Sequence, residues 1–308
     1  MHDLIIIGAG PAGLTAALYA GRFRLDTLIF EKMSAGGQVM LTPTIENYPG
    51  FPEGITSLEL IDRFTRQIKD LGLDLENQEI VEVKVNSDKS PLTFSLKTQQ
   101  AIYETKSIII ATGAKSRELG VEGEEKLIGR GVSYCATCDA PLFKNKEIVV
   151  VGGGDRAVEE AIHLASYAQK VNLVHRRAKL RASKILEEKA RQNPKINFIL
   201  DSVVEKIIGD KRVETVQIKN TKNNAQTNID CQGIFIFVGI KPATVFLKNL
   251  LEMEERGFII TDQEMKTSQA GIFACGDCRK KSLYQVISAA SGGATAADSA
   301  HKYLLNLK

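Results

Sequence analysis

The chain has 308 residues, enough for two domains of ordinary size, each with its own core. Its 44% hydrophobic and 25% charged content is that of a soluble globular protein, and a net charge of +3 is too small to argue for nucleic acid or an anionic membrane. No apolar run reaches membrane-spanning length, and the apolar start at 4–7 is broken by Gly8, Gly10 and Pro11 with Asp3 where a basic flank would stand, so the expected compartment is the cytoplasm.

Residues 4–7 read as a short buried strand that runs into Gly8-Ala9-Gly10-Pro11-Ala12-Gly13 and then into helix formers at 14–20. In such a strand–turn–helix unit the first glycine makes the turn and the second lets the backbone approach a pyrophosphate. The third lets helix and strand pack closely. The helix N-terminus then offers free N–H groups and the positive end of its dipole to the phosphates. The next strand, 27–30, stops at Glu31, 23 residues after Gly8, where an acid hydrogen-bonds a ribose hydroxyl. A β-rich excursion follows, with strands near 79–85 and 93–97, and the chain returns through 107–113.

Next comes Cys135-Ala136-Thr137-Cys138, followed at once by Asp139. A CxxC beside a strand–turn–helix unit, without secretory features, reads as a redox dithiol. The second unit starts just after it. Residues 148–151 are apolar, Gly152-Gly153-Gly154-Asp155-Arg156-Ala157 makes the turn, and 158–162 opens a helix. The following strand, 171–174, stops at His175, again 23 residues after the first glycine. Here no acid stands at the end. His175, Arg176 and Arg177, with Arg181 one turn on, place cations where a 2′-phosphate would lie, and arginine grips phosphate through two parallel hydrogen bonds. The first turn therefore reads as an FAD site and the second as an NADP site.

A second excursion runs through 198–208 and 213–219, and the chain returns through 234–239. Residues 271–277, ending in Gly276-Asp277, and an apolar-rich helix near 283–305 close the sequence. Gly292-Gly293 is expected to be a close-packing point within that helix. The fold class is α/β, two Rossmann-like three-layer nucleotide-binding domains with the second inserted in the first. The FAD-binding domain would comprise 1–114 and 243–308, and the NADP-binding domain, carrying the CxxC, 115–242. The two crossings, near Lys115 and Pro242, would form a hinge.

Five cysteines, an odd number in a chain of this size, do not suggest a structural disulfide framework. Cys275 and Cys278 form a second CxxC, and the two pairs together could be read as a four-cysteine zinc site. That reading is set aside, because Cys275 lies 137 positions after Cys138 and Gly276-Asp277 has a better explanation. No metal is expected, and Cys231 is expected simply to pack.

From end to end the chain resembles the low-molecular-weight, prokaryotic-type thioredoxin reductases. The resemblance rests on the turn Gly8–Gly13, on Gly36-Gly37-Gln38 with Ile45-Glu46-Asn47-Tyr48-Pro49-Gly50, and on Ala111-Thr112-Gly113. It rests further on the CATCD motif, on His175-Arg176-Arg177 and on Gly276-Asp277. It implies a homodimer that passes electrons from NADPH through FAD to thioredoxin. FAD would be held by Gly8, Gly10, Pro11, Ala12, Gly13, Glu31 and Lys32, by Gly37, Gln38 and Asn47, by Ala111, Thr112 and Gly113, and by Gly276, Asp277, Gln285 and Val286. NADP would be held by Gly152, Gly154, Asp155, Arg156 and Ala157 with His175, Arg176, Arg177 and Arg181. Cys138 would be the flavin-proximal sulfur, Cys135 the interchange thiol and Asp139 the acid–base. Nicotinamide and disulfide cannot occupy one flavin face together, so the insert would rotate to present each in turn.

Three residues depart from the family pattern. Arg156 stands where Ser or Thr is usual, Ala140 where Gly is common, and Tyr284 where Arg is frequent. Two other functions fit parts of the sequence. One is a flavin disulfide reductase with a different redoxin-like partner or electron donor. The other is a non-catalytic nucleotide sensor, against which the intact dithiol motif argues.

Overall fold

A computed structural model describes residues 1–41, 44–45, 47–86, 91–134 and 136–307, without the side chains of residues 41, 137 and 138. In chain order the elements begin with β1 (His2–Ile7), α1 (Pro11–Arg22), β2 (Thr27–Phe30), β3 (Thr44–Ile45), β4 (Ile55–Thr56) and α2 (Ser57–Lys69). Then come β5 (Leu75–Glu76), β6 (Glu82–Asn86), β7 (Thr93–Lys97), β8 (Ile102–Ile110), β9 (Ala114–Ser116) and β10 (Val132–Ser133). A short α3 (Ala136–Asp139) precedes β11 (Glu147–Gly152), α4 (Asp155–Ala165), β12 (Lys170–Val174), α5 (Lys184–Gln192) and β13 (Ile196–Ile199). The chain ends with β14 (Ser202–Ile208), β15 (Thr215–Asn220), β16 (Gln226–Asp230), β17 (Gly233–Phe237), β18 (Ile240–Pro242), β19 (Ile272–Ala274) and α6 (Val286–Leu305).

These elements form two compact units, one of residues 1–115 with 241–308 and one of 116–240. In the first unit a sheet runs β5-β2-β1-β8-β7-β6, with β19 also paired to β8. Its strands bury both faces, and alternate side chains go to opposite sides because the strand repeat is two. Leu4, Ile6, Ile29, Ile109 and Phe273 face the helices α1 and α6. Ile5, Ile7, Phe30, Ile108, Ile110 and Ile272 face the opposite core with Phe94, Leu96, Leu247 and Ile259. The helical side is built from small residues. Ala12, Ala16, Ala17 and Ala20 of α1 meet Ala289, Ala296, Ala297 and Ala300 of α6. A Cβ on Gly293 would stand 2.1 Å from the Ala12 carbonyl oxygen, so this glycine sets how closely the two helices pack, despite its low helix propensity.

The second unit repeats the plan. Its parallel sheet runs β10-β17-β11-β12-β13, beside a three-stranded antiparallel sheet β14-β15-β16. Ile148, Val150, Val171 and Leu173 pack on Ala157, Val158, Ala161 and Leu164 of α4. Val149, Val151, Ile234 and Ile236 pack on Val204, Ile207, Val216 and Ile218 of the antiparallel sheet.

The first excursion strand starts at Glu82, three residues later than the sequence pattern suggests. The stretch 198–208 is not one strand. Asp201, with φ +51, breaks it, so β13 completes the parallel sheet and β14 opens the antiparallel one. At the crossings, Ala243 N–H donates to the Gly113 carbonyl within the first unit, and Arg117 N–H to the Gly239 carbonyl within the second. The outgoing and returning chain therefore leave each unit side by side.

Candidate functional site

In the first unit, register brings the expected FAD residues to one sheet edge. Ile7 pairs with Phe30 and with Ile110, and Ile110 pairs with Ala274, all in parallel. The segments that follow these strand ends are the Gly8–Gly13 turn, Glu31-Lys32, Ala111–Gly113 and Gly276-Asp277. In open α/β sheets, ligands bind at this carboxyl edge. Gly8 holds φ +107, and a Cβ on Gly13 would lie 1.8 Å from the Gly8 carbonyl oxygen, so strand and helix meet too closely for any side chain there.

The edge fits a dinucleotide. Helix α1 begins after Gly10 with no side-chain cap, so its terminal N–H groups are left for a ligand, and Pro11 removes one that would otherwise need a partner. On Gly10 the space a Cβ would fill is open, its nearest neighbour Gly36 O at 3.9 Å. Gln38 Oε1 is buried without a hydrogen-bond partner among the described residues, an acceptor left for a ligand donor. Glu31 Oε2 accepts the Ala9 N–H at 2.9 Å and Oε1 the Met33 N–H at 3.2 Å, which fixes the carboxylate beside the glycine turn. Lys32 is exposed and pairs with Glu79 at 3.5 Å.

On the chain's return, Asn47 donates to Gln285 Oε1 at 3.2 Å, joining two of the expected contacts. Glu46 lies outside the described residues. Helix α6 starts at Val286, and Ser288 Oγ accepts the Gln285 N–H at 3.2 Å. Sequence reasoning missed Lys281. Its side chain is 8% exposed, its ammonium lies 2.7 Å from Asp277 Oδ1, and it sits 5.2 Å from the centre of the Tyr284 ring. Tyr284 also packs edge-on against Phe258. A cation is thus present beside residue 284 even though the usual arginine is not.

The second unit presents its turn in the same way. Helix α4 begins after Gly154 without a side-chain cap, and a Cβ on Gly154 would meet nothing within 4 Å. Asp155 Oδ1 accepts the Ser183 N–H at 2.6 Å, and the Arg181 N–H donates to Gly153 O at 2.6 Å. The side chains of Arg176, Arg177 and Arg181 are exposed, a set of cations suited to a phosphate. His175 is set apart from them. It is buried, and its ring occupies the space next to Gly153, where a Cβ would come within 2.3 Å of Nδ1. Burial, with help from the neighbouring arginine charges, holds this imidazole below its ordinary value, so His175 shapes the turn as a neutral ring.

Arg156 does not project freely from the turn. Its Nη2 donates to the Tyr134 carbonyl at 3.4 Å, and its guanidinium lies 5.4 Å from the centre of the Phe237 ring. Beneath it is Glu160, a residue that sequence reasoning passed over. Glu160 is 3% exposed, its Oε1 has no hydrogen-bond partner among the described residues, and burial pushes its carboxyl up to about 7 against the opposing Arg156 charge. A raised folded value means the fold keeps a proton that the unfolded chain has already lost. Stability therefore falls as pH rises from 4.5 to about 7 and is flat above. The loss across that window is on the order of 3 kcal/mol. Thermal melts of Glu160→Gln from pH 4 to 8 are expected to lack this decline; profiles parallel to the unmodified protein would show that Glu160 does not titrate there.

Of the redox residues, Cys135 and the side chain of Cys138 lie outside the described residues. The segment leading into them is firmly held. Tyr134 donates its hydroxyl to Glu124 Oε1 at 2.6 Å. The buried Glu124 carboxylate also accepts the N–H groups of Leu119, Gly120 and Val121, at 2.9, 2.6 and 3.3 Å. Cys138 and Asp139 stand on α3, and Ala140 is fully buried. Cys275, Cys278 and Cys231 are free and buried. Burial raises all three thiols, Cys278 to about 11, Cys231 to about 12 and Cys275 furthest. Cys278 Sγ lies 3.1 Å from the Cys275 carbonyl oxygen and 3.5 Å from that of Ile110.

Each unit thus presents a dinucleotide turn, in the arrangement of a two-nucleotide flavin oxidoreductase. The sequence profile described as pyridine nucleotide-disulphide oxidoreductase matches residues 2–294. A thioredoxin reductase of Listeria innocua is 47% identical over 309 aligned positions, covering 100% of this chain and 95% of its own. One from Treponema pallidum is 41% identical, covering 100% and 98%. The crystal structure of Lactococcus lactis thioredoxin reductase, in a form designated FR, matches with TM-score 0.96 at 44% identity, over 99% of this chain and 100% of that one. The chain belongs to the pyridine nucleotide-disulphide oxidoreductase family, in its low-molecular-weight thioredoxin reductase branch. FAD and NADPH are the cofactors of that branch. Among the described residues, no helix is long and apolar enough to cross a membrane.

Proposed function

We propose that the protein reduces the disulfide of thioredoxin with electrons from NADPH, as a cytoplasmic homodimer. The observation that carries this reading is the pairing of two uncapped glycine turns with different ribose ends. A fixed carboxylate, Glu31, stands at one, and three exposed arginines stand at the other. The first unit would hold FAD through the turn at Gly8–Gly13 and through Gln38, Asn47, Thr112 and Asp277. The second would hold NADPH through Gly152–Ala157 and the arginines. Bound FAD would relay reducing equivalents from NADPH to the Cys135–Cys138 disulfide, giving a dithiol.

The protein's own groups then carry the exchange. Asp139 takes the proton of the Cys135 thiol, the thiolate attacks the partner disulfide, a mixed disulfide forms, and Asp139 returns that proton to the partner sulfur that leaves. Cys138 next attacks the mixed disulfide, closes the Cys135–Cys138 bond and releases the second partner thiol. Two electrons and two protons reach the partner, and the pair is oxidised again. The reading requires a hinge, and the paired crossings at Gly113/Ala243 and Arg117/Gly239 are where it would lie. The alternative of a different redoxin-like partner or donor is less favoured, because the arginine set is intact and the relatives named above are thioredoxin reductases.

Anaerobic titration of the purified yellow protein with NADPH, followed by oxidised thioredoxin, tests the reading. Loss of flavin absorbance with NADPH and its recovery with thioredoxin are expected. No recovery would exclude thioredoxin as the acceptor, and no loss would exclude NADPH as the donor.

A further inference from the structure

Arg156 occupies the second position of α4, where a pyrophosphate would meet the helix N-terminus, yet its side chain is engaged elsewhere. A guanidinium carries five N–H donors and is costly to bury unless they are satisfied. The bond to the Tyr134 carbonyl is long, at 3.4 Å, and its other neighbours include the face of Phe237, the buried acid Glu160 and the charge of Glu159. Burial lowers the Arg156 value, which marks a cation held at some cost. A phosphate would satisfy it far better, through charge-assisted and bidentate hydrogen bonds. At the other end of the contact, the Tyr134 side chain is anchored on Glu124, while its carbonyl belongs to the peptide that leads directly into Cys135.

We infer that Arg156 is a positioning residue contested by two partners: a bound nucleotide pyrophosphate draws the guanidinium off the Tyr134 carbonyl and loosens the chain entering the redox motif. The inference rests on the second glycine turn being a nucleotide site. It is confined to contacts within one unit. By linkage, the state of that chain segment must in turn affect nucleotide affinity. A serine or threonine at position 156 could not span both partners, so this coupling belongs to the arginine.

Hydrogen exchange read by mass spectrometry tests it on the FAD-loaded, oxidised protein. The probe is 2′-phospho-ADP-ribose, which carries the pyrophosphate and 2′-phosphate but no nicotinamide. In the unmodified protein the probe is expected to slow exchange in the peptide spanning 150–158 and to speed it in the peptide spanning 131–140. Loss of one hydrogen bond at the weak end of the usual range corresponds to roughly a twofold change. In Arg156→Thr, exchange at 131–140 is expected to be fast without the probe and unchanged by it. Protection at 150–158 with no acceleration at 131–140 in the unmodified protein would overturn the inference while leaving the nucleotide site intact. No protection at 150–158 would remove the nucleotide site and the inference together. The arm with the unmodified protein decides the matter even if the variant folds poorly.

Discussion

Serine at either Cys135 or Cys138 is expected to reduce turnover with thioredoxin to the assay background, while NADPH added anaerobically still bleaches the flavin absorbance. The exchange needs one sulfur to attack and a second to resolve the mixed disulfide, and a serine hydroxyl is neither a competent nucleophile at neutral pH nor able to form the bond. The same substitution in the other CxxC is expected to leave turnover largely intact. Cys275 and Cys278 are fully buried, and burial raises their thiols, Cys278 to about 11, so almost no thiolate exists at neutral pH. Rapid-mixing absorbance separates the two half-reactions. Turnover surviving in Cys138→Ser, or lost in Cys278→Ser with FAD retained, would show that the wrong pair has been assigned.

The elements that a short apolar run and a glycine turn define were legible from the residues alone. Residues 4–7 and 148–151 are strands covered on both faces, which is why they read as unbroken apolar runs rather than alternating ones. The helices α2 and α5 leave no such apolar run, because mostly polar residues surround a narrow buried face. A signal for α2 was present, since Thr56 stands three residues before Glu59, and its hydroxyl does accept the Glu59 N–H. The edge strand β16 is mostly exposed, so no apolar pattern marks it.

Site legibility divides along the same physical line. Backbone requirements, such as the contact of Gly13 with Gly8, leave a residue-type signature. The burial of single charged groups leaves none. Lys281, Glu160 and Glu124 look like surface residues in the sequence. Lys281 and Glu160 stand four residues from Asp277 and Arg156, so the pairings are local, but only the tertiary fold buries these groups. His175 was grouped with the arginines by adjacency, but strand alternation turns its ring under Gly153 while its neighbours remain in solvent.

Replacing Arg176 and Arg177 together by alanine is expected to weaken NADPH selectively and leave NADH nearly untouched. Both side chains are exposed at the end of β12 and held apart from competing burial, so truncation removes charge without opening a cavity. A hydrogen bond to a charged group contributes about 1.5–3 kcal/mol, which converts to a loss of roughly one to two decades in affinity for each phosphate contact removed. Because these cations are solvent-exposed, added salt should erode the NADPH preference of the unmodified protein and have little effect on the variant. Dissociation constants for NADPH and NADH, measured by calorimetry at two salt concentrations, check both expectations. Arg181 also stays exposed, and its backbone N–H holds the Gly153 carbonyl, so it provides a third cation at the same place and should keep a residual preference in the double variant. Equal weakening of both nucleotides would mean that the arginines shape the turn instead of reading the 2′-phosphate, and equal use of both by the unmodified protein would remove the basis for NADPH as the donor.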